Sequence, residues 1–122
     1  MTVLSVEPGK IPEVMELENT LSAMQKQVGG LIQAIYPFEE PIALVCNEEG
    51  KLLGLPPNRC LRDEEGHTYD IVSGTFFLCA ALPDSEHFES LTEEQLVCCM
   101  ERFRHPECFL KANGQLVVLK FD

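Results

Sequence analysis

A chain of 122 residues is long enough to bury about two-thirds of its unfolded surface, so a core forms without metal or disulfide staples. Apolar residues make up 45% of it and charged residues 24%, proportions that exclude a disordered or fibrous chain. Twenty Asp and Glu against nine Lys and Arg give a net charge of −11, which repels phosphate backbones and excludes direct nucleic-acid binding without a clustered basic patch.

The chain reads as one α+β domain spanning 1–122. Val3 to Val6 predicts a short strand, and Glu7-Pro8-Gly9-Lys10 has the Pro and Gly of a type II turn. Ile11 to Leu17 reads as a strand that Pro12, lacking an N–H, places at an edge or near its start. The period then changes. Asn19 or Thr20 caps a helix with Leu21, Met24 and Val28 on one stripe, and Gly29-Gly30 ends it. Leu31 to Tyr36, bounded by Gly30 and Pro37, reads as a buried strand.

Three turns organise the remainder. Asn47-Glu48-Glu49-Gly50 is expected to join Ile42–Cys46 to a strand at Lys51–Leu53. Asp63-Glu64-Glu65-Gly66 is expected to join Cys60–Arg62 to Thr68–Val72. Asn113-Gly114 predicts a type I′ hairpin pairing Phe109–Lys111 with Leu116–Lys120. Between the last two turns lies the best-specified helix. Thr92-Glu93-Glu94-Gln95 is a capping box, Leu91 and Leu96 occupy the positions of a hydrophobic staple, and Leu96, Cys99, Met100 and Phe103 form its apolar stripe. Arg102, Arg104 and His105 complement the negative end of the helix, and Pro106 stops it. The fold class expected is α+β, with a mostly antiparallel sheet of about seven short strands and both helices packed on one face.

No catalytic constellation is written in these residues. The four adjacent carboxylate pairs (39–40, 48–49, 64–65 and 93–94) do not converge as an acid–base dyad must, and none fits a calcium loop. His67, His87 and His105 are isolated. The six cysteines contain no C-x-x-C pair, and the spacing of His105 and Cys108 near Cys98 and Cys99 matches no common metal site. No catalytic residue, metal or cofactor is therefore expected. The longest uncharged stretch, Ile71 to Leu82, is too short to span a bilayer. No leader is visible before Glu7, so the expected compartment is the reducing cytoplasm, with no membrane contact.

One segment carries a recognition argument. Leu55-Pro56-Pro57-Asn58-Arg59 is stiffened by its prolines, which would hold Asn58 and Arg59 ready to grip a carboxylate or phosphate. Asn47, heading the neighbouring turn, is the third candidate binding residue. The competing account is structural: Asn58 satisfies its own turn and Arg59 pairs with a nearby glutamate.

These motifs also carry a resemblance. Leu21-x-x-Met24-Gln25-x-x-Val28-Gly29-Gly30-x-Ile32, Asn47-Glu48-x-Gly50-Lys51, Leu55-Pro56-x-Asn58-Arg59 and Ile71-x-x-Gly74-Thr75 resemble the domain-of-unknown-function 3846 family, over about Val6 to Ala80. The resemblance implies a small cytoplasmic accessory protein of bacterial mobile elements and phages, and it brings no catalytic residue with it. The expected function is a non-enzymatic module binding an unknown protein or small polar ligand. The alternative is an acidic DNA mimic that inhibits a restriction or other DNA-binding enzyme.

Overall fold

A computed structural model describes residues 1–121 of the chain. The elements in order are β1 (Thr2–Val6), β2 (Glu13–Glu16), α1 (Leu21–Val28), β3 (Ile32–Ile35), β4 (Ile42–Asn47), β5 (Pro57–Arg62), β6 (Thr68–Ser73), β7 (Phe76–Ala80), α2 (Glu93–Phe103), β8 (Glu107–Ala112) and β9 (Gln115–Lys120). The class is α+β with every strand pair antiparallel. The expected single sheet of about seven strands is instead a five-stranded sheet, ordered β2-β1-β7-β4-β3, and two separate two-stranded hairpins, β5-β6 and β8-β9.

The helices do not share a face, which corrects the sequence expectation. Met24 and Val28 of α1 pack on Val3, Ala43, Val45 and Phe77. Cys99 and Phe103 of α2 pack on the other side against Leu4, Ile42, Leu44 and Phe76, where Leu61 and Val72 of the β5-β6 hairpin join them. The central strands are thus covered on both faces, and every residue of β4 and β7 is buried. This is why Ile42–Cys46 and Phe76–Ala80 read as unbroken apolar runs with no polar alternation. A run of that kind is silent about which side each helix takes.

Local signals fixed the element ends well. The Thr20 side chain accepts from the Ala23 N–H at the start of α1, and Gly29 closes the helix in the left-handed conformation. Thr92 and Gln95 form the reciprocal capping box of α2. Asn113 and Gly114 take φ of 52° and 78°, the two positive angles of a type I′ turn that glycine adopts without penalty.

Two strand expectations change. Lys51–Leu53 is not a strand, because Leu53 N–H returns to the Glu49 carbonyl at 2.9 Å and Leu55 N–H to Gly50 at 3.0 Å, coiling the segment as consecutive turns. The strand in Leu31–Tyr36 is real over Ile32–Ile35, but it lies at the sheet edge and is only half-buried.

In α2 the apolar stripe separates two adjacent thiols. Cys99 is fully buried, and that burial pushes its pKa up to about 12, whereas Cys98 is half-exposed with its sulfur 3.8 Å from Glu40 Oε1. Alkylation needs both access and thiolate. Alkylating the native protein and mapping its peptides should label Cys98 well before Cys99, and preferential labelling of Cys99 would reverse the assigned face.

Candidate functional site

The three residues singled out from the sequence converge on interior joints. Asn58 and Arg59 are both 0% exposed. Nδ2 of Asn58 donates to the carbonyls of Val6 (2.8 Å) and Gly74 (2.9 Å), tying β5 to β1 and to the turn before β7. Its Oδ1 accepts from Nη1 of Arg59 at 2.8 Å. The rest of the guanidinium is equally engaged. Nε and Nη2 donate to the Phe103 carbonyl at 3.1 and 3.0 Å, Nη1 also donates to Asn58 O at 3.2 Å, and Nη2 reaches Lys10 O at 2.6 Å. These contacts occupy all five donors of the fork.

The sequence offered Arg59 a ligand or a glutamate, and the structure gives it backbone carbonyls. The first effect on its pKa is burial, which pulls the guanidinium below its ordinary value, while the charge of Glu107 acts the other way. An arginine so placed stays protonated at neutral pH and meets the negative end of α2 at Phe103. Asn47, 4% exposed, works the same way on a smaller scale. Its Nδ2 donates to Val28 O at 3.2 Å at the end of α1, and its Oδ1 accepts from the Glu49 N–H at 2.8 Å. The glycine of the same motif set fits this account. A Cβ on Gly74, which holds φ of +83°, would stand 2.7 Å from Cδ1 of Leu55. Asn47, Leu55, Asn58, Arg59 and Gly74 are therefore placed as framework residues, and Asn58 and Arg59 spend every side-chain donor inside the fold.

What the framework builds is an open groove of about 570 Å³ beside Arg59. The loop before β4 supplies Phe38, Glu39 and Glu40, the β5-β6 hairpin supplies Arg62, Asp63, Glu64 and Tyr69, α2 supplies Arg102 and Phe103, and β9 supplies Lys120. Phe103, whose carbonyl Arg59 holds, meets Phe38 and Phe76 edge-to-face with ring centroids 6.0 and 5.3 Å apart. The Arg102 guanidinium lies 4.1 Å over the Phe38 ring and pairs with Glu40 at 2.8 Å. Hydrogen bonding to its own backbone first, and Arg102 beside it, hold the Glu40 carboxyl below its usual pKa.

Arg62 is neutralised in the same manner. Its Nη2 lies 3.0 Å from Oε1 of Glu107, a carboxylate 7% exposed that also accepts the Cys60 N–H at 3.2 Å. Both groove arginines are thus matched by carboxylates of the chain. Glu39 and Glu64 have no cationic partner among the described residues, and Tyr69 stands 58% exposed at their side. Asp63 Oδ1 accepts the N–H groups of Glu65 and His67, which shapes the turn as its sequence foretold.

Sequence reasoning missed this groove because its walls come from four distant segments. Of the sequence's cationic cluster only Arg102 reaches the groove, and nothing local to it reports its pairing with Glu40. Among the described residues no group of three or more metal-ligating side chains converges. Nor is any helix among the described residues long and apolar enough to cross a membrane.

Asn58→Ala and Arg59→Ala are each expected to remove about 2–5 kcal/mol of stability, because each strands buried carbonyls. Arg59→Lys should also destabilise, since one ammonium cannot span the carbonyls of Phe103, Lys10 and Asn58. Urea unfolding measures this, and unchanged midpoints would return the pair to a surface role.

No curated protein and no solved structure matches the chain. The family described as "Domain of unknown function (DUF3846)" matches residues 1–104, a span that runs past Ala80 to include α2 and the groove's Arg102 and Phe103 and stops before β8. The chain belongs to that family.

Proposed function

We propose that the chain is a non-enzymatic binding module whose groove takes a cationic segment of a partner protein. The observation that carries this reading is the uneven neutralisation of the groove. Arg62 and Arg102 are held by Glu107 and Glu40, so Glu39 and Glu64, two carboxylates beside an open tyrosine face, are left against the single unpaired cation of the lining among the described residues, Lys120. A lysine or arginine entering there gains carboxylate contacts together with a cation–π contact to Tyr69, an interaction of roughly 0.5–2 kcal/mol. The aromatic floor is rigid, since Phe103 is 4% exposed and packed between Phe38 and Phe76. The absence of a metal-binding cluster or acid–base dyad from the sequence reading supports binding over catalysis.

The six cysteines are all free thiols, which supports a reducing, cytoplasmic setting. A role as an accessory protein of a bacterial mobile element belongs to the same proposal. DNA mimicry is the competing reading, drawn from the net charge of −11. Its carboxylates would need to follow a phosphate-like track, and these sit on separate turns, at 48–49 beside the Asn47 cap and at 63–65.

Chemical-shift mapping with an arginine-rich peptide tests the groove. Shifts should concentrate at 38–40, 62–64 and 69, and Tyr69→Ala combined with Glu64→Gln should weaken binding on the order of tenfold. Shifts spread evenly over every acidic turn would show unspecific charge attraction and sink the proposal. Displacement of duplex DNA from a restriction enzyme, steeply reversed by salt, would favour mimicry instead.

A further inference from the structure

The groove carries a cation of its own. Of the three basic residues in its lining, Arg62 and Arg102 are paired with Glu107 and Glu40, and Lys120 of β9 has no ion-pair partner among the described residues. The β8-β9 hairpin that brings Lys120 there lies beyond residues 1–104, the span matched by the family, and belongs to neither core cluster. It is fastened at its base, where Glu107 accepts the Cys60 N–H at 3.2 Å and pairs with Arg62 at 3.0 Å. The backbone beside Lys120 is held as well, since Phe121 N–H donates to Pro106 O at 2.7 Å.

The hairpin register fixes the side on which Lys120 stands. Residues flanking a two-residue turn exchange both hydrogen bonds, and bonded and non-bonded pairs alternate from there. With Ala112 opposite Gln115, Glu107 and Lys120 form a non-hydrogen-bonded pair, the class whose side chains lie closer together. Directly opposite residues project from one face, so Lys120 shares the inward face of the buried Glu107. The other face, with Cys108, Leu110, Val117 and Leu119, carries no charge. Glu107 itself is spent: its Oε1 accepts from Cys60 and Arg62, and its Oε2 lies 3.5 Å from Arg62 Nη1. Of the four carboxylates in the groove lining, Glu40 holds Arg102, and Asp63 accepts the N–H groups of Glu65 and His67. Glu39 and Glu64 remain, and they are the pair that the groove offers to an incoming cation.

We infer that Lys120 is a built-in competitor for the groove's cation site, which a partner's lysine or arginine must displace. The inference rests on the reading of the groove as a site for a cationic segment. A tethered group competes at an effective concentration on the order of millimolar. A lone ammonium below that concentration therefore does not replace Lys120. A segment does so by adding contacts, above all a cation–π contact on Tyr69, which is 58% exposed. The lysine stem is flexible, so its ammonium withdraws to solvent while the fastened hairpin stays in place. Lys120 thus raises the threshold for binding and favours segments that reach both the carboxylates and the ring.

Carbodiimide cross-linking of the full chain, which joins an amine to a neighbouring carboxyl as an amide, tests the placement. Peptide mapping should find Lys120 joined to Glu39 or Glu64, and an arginine-rich peptide with blocked termini, which has no amine to react, should suppress the product. Calorimetric titration with the same peptide tests the competition. Lys120→Gln should raise affinity about two- to fivefold, the scale of one exposed ion contact. Lys111→Gln makes the same change of charge on the same hairpin outside the groove lining and should leave affinity near that of the parent. Peptide binding without any cross-link from Lys120 to either glutamate overturns the inference and spares the reading of the groove. An equal gain from Lys111→Gln overturns it too, because net charge alone then explains the effect. Cross-links in a protein that binds the peptide neither as the parent nor as Lys120→Gln sink the reading of the groove, and the competitor role with it.

Discussion

A buried guanidinium without a carboxylate in contact is the constraint on which this fold turns. Removing a full charge from water costs several kcal/mol even after relaxation, so Arg59 is tolerable only if its surroundings replace the lost hydration. They do so with carbonyl and amide oxygens: Phe103 at the end of α2, Lys10 in the β1–β2 turn, and both oxygens of Asn58. Asn58 then passes the connection to Val6 and Gly74. One side chain thereby fixes how the terminal helix, an edge turn and the β5-β6 hairpin meet the central sheet. The helix supplies part of the compensation itself, since the carbonyl at its end carries the negative pole.

The groove follows from that joint. Phe103 cannot shift without breaking two bonds to Arg59, so its ring is held against Phe38 and Phe76. Arg102, one residue earlier, is carried to the position where it covers Phe38 and reaches Glu40. On the opposite wall Cys60 and Arg62 follow Arg59 along β5, and Glu107 binds both. The groove therefore has aromatic walls set by the interior, with Glu39 and Glu64 in its lining outside the internal ion pairs.

Much of the fold was legible because its signals were local. The Thr92 capping box, the Thr20 cap and the Asn113-Gly114 turn involve residues no more than a few positions apart, and each formed as its sequence required. Sheet partition and helix side were not legible, because β4 and β7 are apolar on both faces and carry no alternation to orient them. Lys51–Leu53 misled for a related reason. Two leucines resemble a strand in sequence, yet Leu52 is 88% exposed on a turn whose backbone bonds close within the segment. For Asn58 and Arg59 the sequence correctly marked a stiff, hydrogen-bonding pair and missed its direction. The carbonyls that bind Arg59 come from residues 44 and 49 positions away, as well as from its neighbour. No property of the dipeptide reports them.

Net charge is a poor guide to how this surface acts. Fields between exposed charges fade over about 8–10 Å in physiological salt, so each patch behaves according to its nearest neighbours. Four of the cations are already bound to carboxylates: Lys10, Lys51, Arg62 and Arg102. Arg59 lies inside. Of the four surface cations that remain, Lys26 lies on α1 and the other three, Arg104, Lys111 and Lys120, lie in or just before the hairpin, and Glu107, the hairpin's own inward carboxylate, is the point at which it is fastened to β5. An acidic body carrying a basic apolar strand is therefore a molecule with two distinct surfaces. The sign of the whole chain describes only the larger one.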